Sequence, residues 1–356
     1  DSNVWNFKSE IMQLVRSVEQ QYWALAQLHV QLWSRETAVT LGEEILKRER
    51  AEQNVGKGTI ADVAEAQQNL ERFRLDLVSA TSDVINAERQ LRNILGLPPS
   101  DNRRIVPATA PTESRIQPDW DASLAQMVSF HPLLVVHQLR VRQAELQLLL
   151  ARNALLPQLN LDALYQLNGL GKDLDRSLAV MTGAQLDSID PLIAQKQRES
   201  GVNVRPGSYQ NFETWQVGFT FEMPIGFRGP LAQTRVAQYS LLKERAALQQ
   251  AVHQNTHALA RYFLEIDANF KLLKTAGRLR ESAKKRLEVQ KARYEVGEIN
   301  IDRYLDAVSQ WANAVAEEAR FKTAYNTAIA ILEEAKGTLL AYNNIALAEG
   351  PYPRKA

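Results

Sequence analysis

The sequence predicts a mainly α protein made of long antiparallel coiled-coil helical hairpins. Two structural repeats carry a small membrane β-barrel strand pair. Three observations predict this. Leu46–Gly96 matches Leu287–Gly337 at a constant offset of 241 residues, with identities that include Gly56/Gly297 and Gly96/Gly337. Apolar residues recur every seven positions over long stretches, the period of coiled-coil packing. In two short stretches that period changes to two, which marks a strand with one apolar face. The offset is far longer than the roughly 20–50 residues of a solenoid unit, so one large supersecondary unit is used twice.

Composition sets the bounds. The chain has 356 residues, a net charge of +1 and 23% charged residues. Charges so evenly interspersed give no case for nucleic acid as a partner. Cysteine is absent, which excludes disulfides and thiol chemistry. No apolar run reaches the roughly 18 residues of a transmembrane helix. No basic start precedes an apolar stretch, so no signal peptide is expected. The chain begins Asp1-Ser2-Asn3, as a mature or cut form would.

The elements follow in order. Leu25, Leu32, Val39 and Leu46 keep the heptad step in a first helix, expected near residues 5–52. A turn at Val55-Gly56 reverses the chain into a second helix over 59–96. Its seams are Val63, Leu70, Leu77, Val84 and Leu91, and Ala66, Phe73, Ala80, Ala87 and Ile94. Pro98-Pro99 stops it. Five prolines in 97–122 mark a linker, and one shorter helix is expected over Ser123–Leu156. Leu159, Leu161, Ala163 and Tyr165 then alternate with mostly polar residues, as do Trp215, Val217, Phe219 and Phe221. Each stretch has about the ten residues that a tilted strand needs to cross a bilayer. Trp215 is expected at a strand end, in an aromatic girdle. The polar stretch 167–213 between them suits an external loop.

The second hairpin repeats the first, with helices near 230–294 and 300–340. Val252, Leu259, Ile266, Leu273 and Leu287 form one seam, broken by Arg280. Tyr304, Trp311, Tyr325 and Leu332 form another, broken by Glu318. The expected domains are therefore 1–97, the first hairpin repeat, truncated at its N-terminus; 98–122, the linker; and 123–156, a helix of the second repeat. They continue with 157–224, the strand pair and loop; 225–345, the second hairpin; and 346–356, a tail.

These residues resemble the TolC family of outer-membrane efflux proteins. "ARYEVGEINIDRYLDA" (Ala292–Ala307) and "NVGKGTIADVAEA" (Asn54–Ala66) are similar to the family's two hairpin tips. "LLPQLNLDALY" (Leu155–Tyr165) and "WQVGFTFEMPIGFRG" (Trp215–Gly229) are similar to its strand pair. The resemblance implies a homotrimer that pools strands into one barrel in outer-membrane lipid and extends it as a helical tunnel through the periplasm. It implies efflux or secretion of small solutes together with a periplasmic adaptor and an inner-membrane pump, in a Gram-negative-type bacterium. The family pattern also places the first unit's leading helix and strands before residue 1.

The resemblance further implies site residues. Asp62, Glu65, Asp302 and Asp306 fall near the hairpin tips, where acidic side chains narrow the periplasmic end; Arg303 occupies one family acidic position. The bland account is helix-start carboxylates favoured by the helix dipole. The turns Gly56, Lys57, Gly58, Gly297 and Glu298 are the expected adaptor contacts. Leu159, Leu161, Tyr165, Trp215, Val217, Phe219 and Phe221 are the expected lipid-facing strand residues.

Other signals are weaker. Gly56-Lys57-Gly58-Thr59 lacks the order of a phosphate loop, and a helix–helix turn accounts for it. His253 and His257 stand four apart on a helix, a spacing that can hold a metal, but the expected state is two exposed or hydrogen-bonded histidines. No catalytic motif or cofactor fingerprint appears, so neither an enzyme nor a cofactor is expected. Two further readings compete: a periplasmic adaptor, which needs more short strands, and a structural coiled-coil scaffold, which leaves the alternating strands unexplained.

Overall fold

The structure, a computed structural model, describes residues 2–99, 103–168, 212–223 and 226–347. The elements are α1 (Ser2–Asn54), α2 (Ile60–Ile94), α3 (Trp120–Phe130), α4 (Pro132–Asn153), β1 (Gln158–Asn168), β2 (Phe212–Glu222), α5 (Arg228–Glu295), α6 (Ile301–Lys336) and α7 (Leu339–Tyr342). The chain divides into two compact units: Asp1–Ala144 with Leu241–Ala356, and Glu145–Ser240.

In the first unit the heptad seams become the core. Leu70, Val84 and Leu91 of α2 are buried beside Ala66, Phe73, Ala80 and Ala87. Small residues at these positions let a neighbouring helix come close: a Cβ on Gly42 of α1 would stand 3.1 Å from the Phe73 ring. On α6, Tyr304, Trp311, Tyr325 and Leu332 are buried together with Ala307, Ala314 and Ala328. Leu259, Ile266 and Leu273 of α5 join one of these clusters. The two charges that interrupt the seams answer each other, because Arg280 forms an ion pair with Glu318.

Both hairpin tips close by the same device. Gly56 N–H donates to the Gln53 carbonyl (3.0 Å), and Lys57 N–H to that of Glu52 (2.9 Å). At the second tip Gly297 N–H donates to Tyr294 (3.0 Å) and Glu298 N–H to Arg293 (2.9 Å). This is a Schellman motif, which needs a left-handed residue after the helix; Gly56 and Gly297 have φ of 75° and 78°.

Three expectations are corrected. The single helix over Ser123–Leu156 is two, α3 and α4, parted at His131 (φ −69°, ψ 117°). His131 precedes Pro132, whose ring disfavours a helical residue before it. The helix expected to reach residue 340 ends at Lys336, because Gly337 turns left-handed at φ 80°; the short α7 follows. Trp215 is not terminal, since β2 starts at Phe212. The loop expected over 167–213 and the tail over 346–356 lie largely outside the described residues.

The linker is strapped to α6 by polar side chains. Tyr325, fully buried, donates its hydroxyl to the Ser114 carbonyl (2.8 Å) and accepts from Ile116 N–H (2.9 Å). Asn326 accepts from Thr112 N–H (2.9 Å) and donates to its carbonyl (3.2 Å). These bonds satisfy backbone groups that an extended segment would otherwise leave open.

In the second unit β1 and β2 pair antiparallel. The register sets Leu159 opposite Phe221, Leu161 opposite Phe219, Ala163 opposite Val217 and Tyr165 opposite Trp215. Directly opposed residues share a face, so the apolar set is continuous. The other face carries Asn160, Asp162, Gln216 and Thr220, where Thr220 Oγ1 lies 3.4 Å from Asp162 Oδ2. Near the helix ends of this unit, the Thr234 hydroxyl donates to the Ala151 carbonyl (3.1 Å).

Candidate functional site: an acidic groove near the hairpin tips

The N-terminal halves of α2 and α6 flank a groove of about 400 Å³. Its walls include Glu65, Asp76, Asp302 and Asp306, with Arg72 the one basic side chain among them. Three of the four acidic residues singled out from the sequence therefore meet in one place.

They are not equivalent. Glu65 is held above the usual carboxylate range, first by burial, then by the charge of Asp302 and a hydrogen bond to it, and last by Asp62. Like charges so close resist ionising together. Asp306 is compensated: its carboxylate pairs with Arg286 at 2.9 Å and accepts from Gln310 Nε2 at 2.9 and 3.0 Å. Asp62 is spent locally. It accepts from Thr59 N–H (2.9 Å) and the Thr59 hydroxyl (2.6 Å), and its own N–H donates back to that hydroxyl (3.2 Å). This capping box holds the Asp62 carboxyl below its ordinary value. The second hairpin has no such box, because Arg303 stands at the equivalent place and Asn300 makes no side-chain cap bond.

The turn residues lie where the sequence placed them. Gly56, Lys57, Gly297 and Glu298 are exposed, and Gly58 is half-buried against Gln53. Val55, Val296 and Ile60 are also exposed, at 70%, 77% and 77%. Among the strand residues, Leu159, Leu161, Tyr165, Trp215, Val217, Phe219 and Phe221 are all exposed, on one face.

Sequence reasoning missed a polar tie beside the groove. The Tyr294 hydroxyl donates to Glu49, a buried carboxylate on α1. Arg48 lies over the Tyr294 ring at 4.5 Å, donates to Glu52 at 2.7 Å and reaches the Glu295 carbonyl at 3.1 Å. Burial and the bond to Glu49 raise the Tyr294 hydroxyl above its ordinary range. Tyr304 is pushed up to about 12, by burial and then by Glu44 and Glu295. Glu49 and Tyr294 are 245 residues apart, and although Tyr294 lies in the quoted hairpin-tip stretch, nothing in the sequence pairs it with Glu49.

Among the described residues no group of three or more His, Asp or Glu is placed to hold a metal ion. Nor is any described helix long and apolar enough to cross a membrane.

Comparison with known proteins gives the class. A family model described as outer membrane efflux protein matches residues 1–97 and 125–338. Solved structures share the fold. The CmeC outer membrane channel of Campylobacter jejuni is 19% identical, with a TM-score of 0.65 over 95% of this chain. The chain spans 65% of that protein's length. The outer membrane protein VceC of Vibrio cholerae is 14% identical (TM-score 0.67; 94% of this chain and 72% of that one). The MtrE outer membrane channel of Neisseria gonorrhoeae is 18% identical (TM-score 0.62; 95% and 69%). A search among curated proteins gives no match. The chain belongs to the outer membrane efflux protein family, and its fold is that of the TolC-like channels.

Proposed function

We propose that this chain is the protomer of a homotrimeric outer-membrane channel that passes small solutes out of the cell. The observation that carries the reading is the strand register. It gathers seven large apolar side chains on one exposed face and sets mostly polar ones on the other, with Leu164 the apolar exception. In water such a face is a liability. In a barrel wall the apolar side meets lipid and the polar side meets the lumen. The two described strands cannot close a barrel, and a lipid-exposed sheet edge is not tolerated, so further strands of the full-length protomer and of its copies supply the remaining pairing. Threefold closure multiplies each protomer's strands and hairpins.

In this reading the helical hairpins extend the duct into the periplasm, and the duct has no energy source of its own. An inner-membrane pump and a periplasmic adaptor supply it, the adaptor docking on the turns Gly56–Gly58 and Gly297-Glu298. The acidic groove narrows the periplasmic end. Glu65, Asp302 and Asp306 make that end cation-attracting, and Asp62 supports it mainly by fixing the start of α2. Family membership leaves the adaptor and scaffold readings without an observation in their favour.

The experiment compares two single substitutions in the full-length protein. Phe219→Arg places a charge on the apolar face and is expected to cost about 2–4 kcal/mol of membrane assembly near mid-bilayer. Thr220→Arg places it on the polar face and is expected to assemble. Yield of folded trimer in the outer membrane is the readout, and equal yields from both variants would count against a barrel.

A further inference from the structure

We propose that His253 and His257 form a chelating site for a divalent transition-metal ion, Cu²⁺ before Ni²⁺ and Zn²⁺. The two residues lie one turn apart on α5, where side chains at i and i+4 stand one above the other. Both are exposed. Their rings are 4.5 Å apart between centres, with an interplanar angle of 73°. With metal–nitrogen bonds of about 2.0–2.1 Å and ring nitrogens about 1.1 Å from the ring centre, two imidazoles bound cis at about 90° have centres about 4.5 Å apart. The observed separation of the ring centres equals that of a bound pair. Neither ring is engaged in a hydrogen bond or ion pair among the described residues.

The next turn does not block the ion. Arg261 lies over the Tyr262 ring at 5.2 Å and reaches toward Glu265 at 3.8 Å. Imidazole nitrogen suits copper, nickel and zinc, and the divalent series peaks at copper. Calcium and magnesium prefer oxygen ligands and find none paired here. No third protein ligand adjoins the histidines among the described residues, so water completes the coordination. That arrangement fits the square-planar habit of Cu²⁺.

The test uses the purified full-length protein without a polyhistidine tag, titrated with Cu²⁺, Ni²⁺, Zn²⁺ and Mg²⁺ by calorimetry. The copper form is also examined by electron paramagnetic resonance. The expected result is one Cu²⁺ per chain with two nitrogen couplings, weaker Ni²⁺ and Zn²⁺ binding, and no Mg²⁺ binding. The second imidazole of a chelating pair binds intramolecularly, so His253→Ala or His257→Ala should weaken Cu²⁺ on the order of 10²-fold and leave one nitrogen coupling. The double variant should lose the site. These positions are on the helix surface, and unchanged circular dichroism verifies that the variants fold. Copper binding that survives the double substitution, or no copper binding by the unaltered protein, would overturn the proposal. Neither outcome depends on whether the protein conducts solutes.

Discussion

Replacing Gly337 by alanine tests the fold at a point where two equivalent positions have different neighbours. Gly96 and Gly337 are repeat partners and both end a helix with positive φ, at +67° and +80°. Any L-residue pays about 1–2 kcal/mol for the left-handed conformation, so both substitutions carry that cost. The surroundings differ. A Cβ at Gly96 meets nothing within 4 Å, whereas one at Gly337 falls 2.4 Å from the backbone C and O of Phe130 and 2.7 Å from His131 N. Those are main-chain atoms at the break between α3 and α4, and no rotamer change relieves them. Overpacking of this kind adds about 1–3 kcal/mol. The expected losses are therefore about 1–2 kcal/mol for Gly96→Ala and about 2–5 kcal/mol for Gly337→Ala. Urea unfolding followed by far-UV circular dichroism measures both, and hydrogen exchange around His131 should quicken only in Gly337→Ala. Equal losses in the two variants would refute the close approach of the α6 terminus to the α3–α4 break.

Three further outcomes are expected. Tyr294→Phe removes the donor from the buried Glu49 carboxylate and should cost about 1–3 kcal/mol in denaturant unfolding; a neutral result would mean that Glu49 finds water or another donor. Glu65 has a raised pKa in the folded state, so its protonated form favours folding at low pH, and that contribution is lost as pH rises through the folded value. Glu65→Gln should therefore stabilise the protein at about pH 7 and change it little at about pH 4, and a stability gain that is flat across this range would refute the raised Glu65 pKa that burial and Asp302 produce. In planar bilayers, Asp306→Ala should weaken block by divalent or trivalent cations from the periplasmic side, while Glu113→Ala, in the linker strap, should not; unchanged block in Asp306→Ala would leave that carboxylate as a structural partner of Arg286.

The sequence by itself determined the elements. Heptad spacing, left-handed glycines and period-two alternation are properties of near neighbours, and they located α1, α2, α5 and α6 to within a few residues. They also put the seven apolar strand residues on one face, because side-chain direction in a strand follows from parity alone. The helix break at His131 was missed, although Pro132 marks it locally. What tertiary structure alone decided is the difference between equivalent positions. Ile60 and Ile301 are repeat partners, yet one is 77% exposed and the other 4%, because α6 is enclosed by neighbours where α2 is not. Asp306 was expected from the sequence at the narrowed end, with no partner in view; Arg286, twenty residues earlier across the hairpin, pairs with it. Glu49 and Tyr294 meet only because α1 and α5 end at the same level. A local pattern fixes where a side chain points, but its partner comes from a distant segment, and only packing brings the two together.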